Sequence, residues 1–128
     1  MSLTVPNDLL EQAKAGPVDD AAFVACVRDS LPYAWSMISE LVKQREHSGA
    51  EFTDNHTPPP DEEARGQLLR CLASDSMRGA LERHFGVRLA FQNCHRVAVF
   101  DPSATEALRE FVTPRAQILN QSPELVDC

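Results

Sequence analysis

The spacing of apolar residues predicts a long helical region early in the chain. Within residues 19–49 the apolar side chains recur every three or four positions, as they do along one face of a helix. The series comprises Phe23, Val27, Leu31, Trp35, Ile38 and Leu41. Pro32 interrupts this region, because a proline inside a helix removes a hydrogen bond and disfavours helical geometry at the preceding residue. We therefore expect a kink or two abutting helices there, with Ser30 as the cap of the second helix.

Three further helices are indicated by start and stop signals. A short one is expected over residues 7–15, before Gly16 and Pro17. Residues 60–86 show helical spacing, either as one helix or as two that part near Ser74-Asp75, and Gly86 is placed to end the region as a left-handed cap. The segment 101–114 starts with a capping box from Ser103 to Glu106. Residues 115–128 are expected to be an irregular tail.

The period changes from helical to two in the segment "FGVRLAFQNCHRVAVF", residues 85–100. Such alternation on both sides of a polar pair predicts a β-hairpin that turns at Gln92-Asn93. A lone hairpin is only marginally stable in water, so it must pack on helices or pair with a second copy of the chain. The sequence therefore predicts an α+β fold: a mostly helical single domain over residues 1–128, with one late hairpin and a sheet that dimerisation would complete.

Residues 48–60 form the clearest break in the helical pattern. They contain glycine, asparagine, aspartate and three consecutive prolines, which favour a loop. Loops of this length without secondary structure are uncommon in compact domains and are often functional. Two interpretations stay open: a recognition segment that presents His56, or a stiff connector whose last proline starts the next helix.

Charge is distributed unevenly along the chain, although the net charge is -7. Residues 1–63 carry 12 acidic against 4 basic side chains, whereas residues 64–100 carry 6 arginines against 2 acids. The basic segment is either a solvated helix face whose arginines pair with the acidic half, or a surface that binds anions or nucleic acid. The overall negative charge makes nucleic acid the less favoured partner.

No uncharged apolar run approaches the roughly 20 residues that a membrane-spanning helix needs. The segment "MSLTVPNDLLEQAK" also lacks the basic and apolar regions of a secretory signal. The four cysteines contain no C-x-x-C pair, which argues against a zinc ribbon and, in the cytoplasm, against structural disulfides. We therefore expect a cytoplasmic protein without a membrane segment.

The adjacent pair Cys94-His95 is the first candidate for chemistry. Neighbouring residues on a strand point to opposite faces, so these two side chains cannot easily act on each other. A metal site would have to gather His84 and further ligands from distant segments, since no two of the candidates have the i, i+4 spacing of a helical ligand pair. We therefore expect neither a metal nor another cofactor, and we lean against catalysis.

Three segments carry a resemblance to a known family. "TPPPDEEARGQLLR", "RHFGVRLAFQNCHRVAVF" and "LNQSPEL" resemble segments of a family of small actinobacterial proteins of the Streptomyces type. The similarity extends from "AAFVACVRDSLPYAW" to the end of the chain. The family's function is unassigned, so the resemblance implies a bacterial, cytoplasmic setting and no site residues.

The sequence is best interpreted as a homodimer that acts by protein–protein interaction, in a regulatory or adaptor role. The residues expected on the binding surface are Arg88, Arg96, His56 and Pro59.

Two alternatives stay open. The first is a small enzyme or metal-binding protein with its site near Cys94, His95 and His84. The second is a binder of anions or nucleic acid that uses the basic segment 64–100.

Overall fold

A computed structural model of the protein describes residues 3–93 and 95–121, which form seven helices and three strands. The helices are α1 (Asn7–Ala15), α2 (Asp20–Ser30), α3 (Pro32–Ser48), α4 (Glu62–Ala73), α5 (Asp75–Phe85), α6 (Thr105–Phe111) and α7 (Pro114–Leu119). The strands are β1 (Phe52–Asp54), β2 (Arg88–Gln92) and β3 (Arg96–Phe100). This arrangement confirms the mostly helical α+β fold.

At the junction between α2 and α3 the structure has two abutting helices, one of the two arrangements expected there. Pro32 occupies the first turn of α3, where its missing N–H leaves no helical hydrogen bond unmade. The predicted Ser30 cap is wrong, because the Ser30 hydroxyl instead accepts a hydrogen bond from the Thr4 N–H at 2.9 Å. The start of α3 is capped from another helix: the Gln67 side-chain oxygen accepts from the N–H groups of Tyr33 and Ala34, at 2.7 and 3.3 Å.

Helices α4 and α5 part at Ser74, which is the second of the two arrangements that the sequence left open. The Ser74 hydroxyl accepts a hydrogen bond from the Met77 N–H at 3.2 Å and so caps α5. At the other end of α5, Gly86 has a φ of 66°, a left-handed conformation that glycine adopts without steric cost. The predicted glycine cap is therefore confirmed.

The strands form one antiparallel sheet in the order β1-β3-β2. The hairpin is confirmed, since β2 and β3 pair from Arg88↔Phe100 to Gln92↔Arg96. The predicted turn position is wrong by one residue, because Gln92 belongs to β2 and the turn begins at Asn93, which has a φ of 54°. The third strand comes from the segment predicted to be a loop, since Phe52–Asp54 pairs with β3. The hairpin is thus supported within one chain, while dimerisation stays a prediction.

Both faces of the sheet are covered. On one face Leu89, Val97 and Val99 pack into the main core, which α2, α3, α4 and α5 also build. On the other face a smaller cluster joins Ala90, Ala98, Phe100 and Phe111, with Leu108 of α6 packed against it. Strand β3 is buried along its whole length because it lies between the other two strands and between these two clusters.

The segment after the sheet departs from the sequence prediction at two points. The capping box is wrong, because Ser103 bonds Asp101 through both its N–H and its hydroxyl, at 2.9 and 2.6 Å, and α6 has no side-chain cap. The tail is not irregular throughout, since Pro114–Leu119 forms α7 and the Thr113 hydroxyl accepts from the Ala116 N–H. Across the described residues, every helix is too short or too polar to cross a bilayer.

Candidate binding groove

The outer edge of β2 faces a groove rather than another strand in the described part of the chain. The Leu89 N–H donates to the Glu82 carboxylate at 2.8 Å, so the Leu89 backbone points away from β3. Backbone direction alternates along a strand, and the Phe91 N–H and carbonyl therefore point outward as well. Such an edge offers hydrogen-bonding groups to an extended chain laid beside it.

Two walls enclose this strand edge. Leu72, Ala73 and Arg78 supply one wall from the end of α4 and the start of α5. Leu108 and Val112 supply the other wall from α6 and the residue that follows it. The groove has a volume of about 480 Å³ and a mainly apolar lining, and Val112 exposes 62% of its surface. We call this feature the β2 groove.

The charges at the β2 groove compensate one another. Arg78 pairs with Asp75 at 2.5 Å and also donates to the Leu72 carbonyl at 2.9 Å. Arg88 pairs with Glu82 at 3.3 Å. The groove therefore offers hydrogen-bonding positions at its rim without an excess of positive charge.

The same pairing extends through the basic segment 64–100. Five of its six arginines form ion pairs with aspartate or glutamate: Arg65 with Glu62, Arg78 with Asp75, Arg83 with Asp20, Arg88 with Glu82, and Arg96 with Asp54. The Arg83 guanidinium, through its hydrogen bonds, holds the pKa of Asp20 below its ordinary value. The structure thus favours the interpretation in which the arginines pair with acids, although only three of the five acids belong to the acidic half 1–63.

The candidates for a catalytic or metal site are not brought together in the described residues. His84 is exposed at the end of α5, where its ring lies 5.4 Å from Trp35 and 4.8 Å from Phe85. His95 is fully buried beyond the other end of β2, with Nδ1 2.7 Å from the Asn93 carbonyl oxygen. Cys94 lies outside the described residues. Within them no group of three or more histidine, cysteine or acidic side chains is placed to hold a metal ion.

The arginines expected on the binding surface differ in exposure. Arg88 is exposed and lines the β2 groove. Arg96 is only 4% exposed, and its guanidinium pairs with Asp54 at 3.0 Å. Both lie on the same face of the sheet, but Arg96 belongs to the central strand, where the neighbouring strands enclose it. Arg96 therefore joins β1 to β3 rather than forming part of the surface.

The proline-rich segment is likewise part surface and part interior. His56 is exposed and its Nε2 lies 3.0 Å from Asp54, whereas Pro59 is buried. Asn55 attaches the segment to the hairpin, because its amide donates to the carbonyls of Thr57 and His95 at 2.9 and 3.0 Å. This anchoring supports the connector interpretation, except that Asp61 rather than the last proline caps the next helix.

Burial keeps one thiol protonated. Cys71 has no exposed surface, and desolvation raises its pKa from an ordinary value of 9.0 to about 12. A thiolate is the reactive form of cysteine, so Cys71 is a core residue rather than a nucleophile.

The Cys71 thiol predicts a specific loss of stability in alkali. The unfolded chain loses this proton above about pH 9, while the folded protein keeps it up to about pH 12. Stability should therefore fall with rising pH in this interval, by about 1.4 kcal/mol per pH unit. Urea unfolding at pH 8 and pH 10 should show a loss about 1.4 kcal/mol larger for the wild type than for Cys71→Ala. Equal losses would contradict the assignment.

The β2 groove was not recognised from the sequence. Its lining comes from residues 72–112, spread over α4, α5, β2 and α6. No local pattern connects Leu72 to Val112, because their proximity depends on α6 packing across the sheet. The sequence signal for the groove was the alternation of apolar and polar residues in β2, which indicates a strand whose edges need a partner strand or a covering element.

The described residues form a small α+β protein in which the outer edge of β2 pairs with no strand. The chain belongs to the family described as "NucS shadow ORF", whose model, with the short name KH_NucS_shadow, matches residues 1–128. No curated protein and no solved structure shows a significant match to the chain. The family description states no activity, and the actinobacterial origin implied by the sequence resemblance stays a prediction.

Proposed function

We propose that the protein binds an extended segment of a partner protein by adding it as a strand beside β2. The observation that carries this proposal is the outward-facing edge of β2, set between two apolar walls. In strand addition the main chain supplies affinity and alternate side chains supply specificity. This role is binding rather than catalysis, in agreement with the interpretation of the sequence.

Both faces of an extended peptide would meet apolar residues of the β2 groove. Side chains of a strand alternate between the two faces of the sheet. One set would contact Leu72 and Ala73, and the other would contact Leu108 and Val112. Phe91 offers outward backbone groups at once, whereas a partner would have to displace the Glu82 carboxylate from the Leu89 N–H. We therefore expect a segment with alternating apolar residues.

The balance of charge favours a peptide over nucleic acid. The short name of the family contains the label KH, which denotes a nucleic-acid-binding module with a Gly-x-x-Gly loop that clamps the backbone. No two of the chain's five glycines are three positions apart, so the chain has no such loop. Binding of a single strand also requires a positively charged groove, whereas Arg78 and Arg88 are each paired with an acid.

Peptide selection followed by groove variants tests the proposal. A displayed library of random 12-residue peptides should yield binders with alternating apolar residues. Val112→Glu should abolish their binding, because the carboxylate places a charge in the apolar wall. Ile118→Glu is the matched control: Ile118 is 69% exposed, lies outside the groove lining and should leave binding unchanged. Fluorescence anisotropy with a labelled selected peptide measures both effects.

Two outcomes would overturn the proposal. One is a set of selected peptides that bind Val112→Glu as well as they bind the wild type. The other is tight binding of a 12-nucleotide single strand that falls steeply with salt and depends on Arg78 and Arg88.

Sedimentation of the wild type and of Val112→Glu tests whether a second copy of the chain occupies the groove, since a dimer formed through β2 would dissociate in the variant.

A further inference from the structure

A second cavity lies where the N-terminal segment packs against the helices, and unlike the β2 groove it combines an apolar lining with one arginine that has no acidic partner among the described residues. Its volume is about 340 Å³, and its lining consists of Leu3, Val5, Leu31, Arg70 and Met77. This volume lies at the lower end of the range for small-molecule sites, about 300–1,000 Å³. The lining is apolar apart from Arg70 and shares no residue with the β2 groove. Its occupant is therefore independent of the proposed peptide binding.

The N-terminal segment is fixed over this cavity. The Thr4 N–H donates to the Ser30 hydroxyl at 2.9 Å, and the Cys26 thiol donates to the Thr4 carbonyl at 3.5 Å. These bonds hold Leu3 and Val5 against the end of α2. The cavity is thus built by packed elements before any ligand arrives, which reduces the entropic cost of binding.

Arg70 is the exception among the arginines of the basic segment. The other five pair with carboxylates, whereas the described part of the chain gives Arg70 no acidic partner. Its Nε is buried and has no hydrogen-bond acceptor among the described residues; the same holds for the Nε of Arg65, but there a terminal nitrogen pairs with Glu62. A buried donor without an acceptor costs free energy, and an anion that reached this guanidinium would recover that cost.

Gly66 leaves space beside helix α4 for the guanidinium of Arg70. A Cβ atom at Gly66 would lie 3.2 and 3.3 Å from the two terminal nitrogens of Arg70, closer than ordinary contacts. The side chain of Arg70 therefore lies back along its own helix, in the space that the glycine leaves.

We propose that this cavity binds a small apolar carboxylate. The apolar body would lie against Leu31 and Met77, and the carboxylate would pair with Arg70. An arginine donates two parallel hydrogen bonds to a carboxylate, which fixes the orientation of the ligand and selects for its negative charge.

Titration with hexanoate, followed by ¹H–¹⁵N and methyl NMR, tests this proposal. Hexanoate should shift the Arg70 Nε–H and Met77 methyl signals saturably, and its neutral analogue hexanamide should bind about tenfold more weakly. Arg70→Gln should lower the hexanoate affinity about tenfold and leave that of hexanamide unchanged. Arg65→Gln is the matched control, because Arg65 lies on the same helix but pairs with Glu62.

A second variant keeps the proposal testable if Arg70→Gln fails to fold. Val5 is 43% exposed at the cavity, so Val5→Glu should fold and present a competing carboxylate that abolishes hexanoate binding. Absence of saturable shifts in the wild type would overturn the proposal. Equal affinity for hexanoate and hexanamide would overturn it too, as would hexanoate binding that neither variant changes.

Discussion

Replacing Phe100 with alanine should lower the free energy of unfolding by about 4 kcal/mol. Phe100 is fully buried on the outer face of the sheet, stacked on Phe52 at 4.9 Å and edge-on to Phe111 at 5.5 Å. The substitution removes both ring contacts and leaves a cavity beneath α6. Urea unfolding measures the change. Hydrogen exchange should accelerate in α6 more than in α5, because Phe111 loses the ring that holds α6 on the sheet.

Phe100→Leu supplies the control for this substitution. Leucine keeps most of the buried volume, so the loss should be no more than about 1.5 kcal/mol. Because α6 supplies Leu108 to the β2 groove, Phe100→Ala should also weaken peptide binding, while Phe100→Leu should retain it. A loss below about 1 kcal/mol for Phe100→Ala would show that this cluster does not hold the sheet to α6.

The fold was predictable where the signal is local. The break at Pro32 and the glycine cap at Gly86 follow from each residue's own backbone preference. The parting of α4 and α5 follows from the capping hydroxyl of Ser74. The period of two in residues 87–100 likewise indicates a hairpin, because such a pattern fits one half-buried strand beside another. These elements form as the sequence predicts since nearby residues determine them.

The errors concern partners that are distant in sequence. Phe52–Asp54 looks like part of a loop because three residues show no period, yet Thr53 pairs with Val99 across the sheet. The Ser103 hydroxyl could either cap α6 or donate to Asp101. In the structure it donates to the Asp101 carboxylate. A local pattern does not decide between such competing acceptors, because the decision depends on how the chain enters α6.

The same limit applies to the candidate site. Alternation places Arg88 and Arg96 on one face of the hairpin, which is where they lie, but it does not show which strand becomes central. Once β1 adds to β3, Arg96 is buried against Asp54 while Arg88 stays at the edge. Exposure, and therefore function, follows from the order of strands and not from the sequence of either strand alone.

Replacing Gln67 with leucine should destabilise the protein by about 2–3 kcal/mol, although leucine is similar in size and better suited to a core. Gln67 is 5% exposed on α4, and its side-chain oxygen accepts from the N–H groups of Tyr33 and Ala34 at the start of α3. These donors have no acceptor within the helix, and α3 has no side-chain cap of its own. Leucine would leave both donors without a partner, and urea unfolding measures the cost.

Gln44→Leu provides the matched control, because Gln44 is exposed on α3 and the substitution should change stability by less than about 0.5 kcal/mol. Hydrogen exchange at Tyr33 and Ala34 gives a second measurement, since their amides should lose protection in Gln67→Leu before the centre of α3 does. Equal stability of the two leucine variants would show that water caps α3 as well as Gln67 does. A larger loss of stability for Gln67→Leu than for Gln44→Leu would show that α4 stabilises α3, because a side chain of α4 supplies the hydrogen bonds that the first turn of α3 lacks.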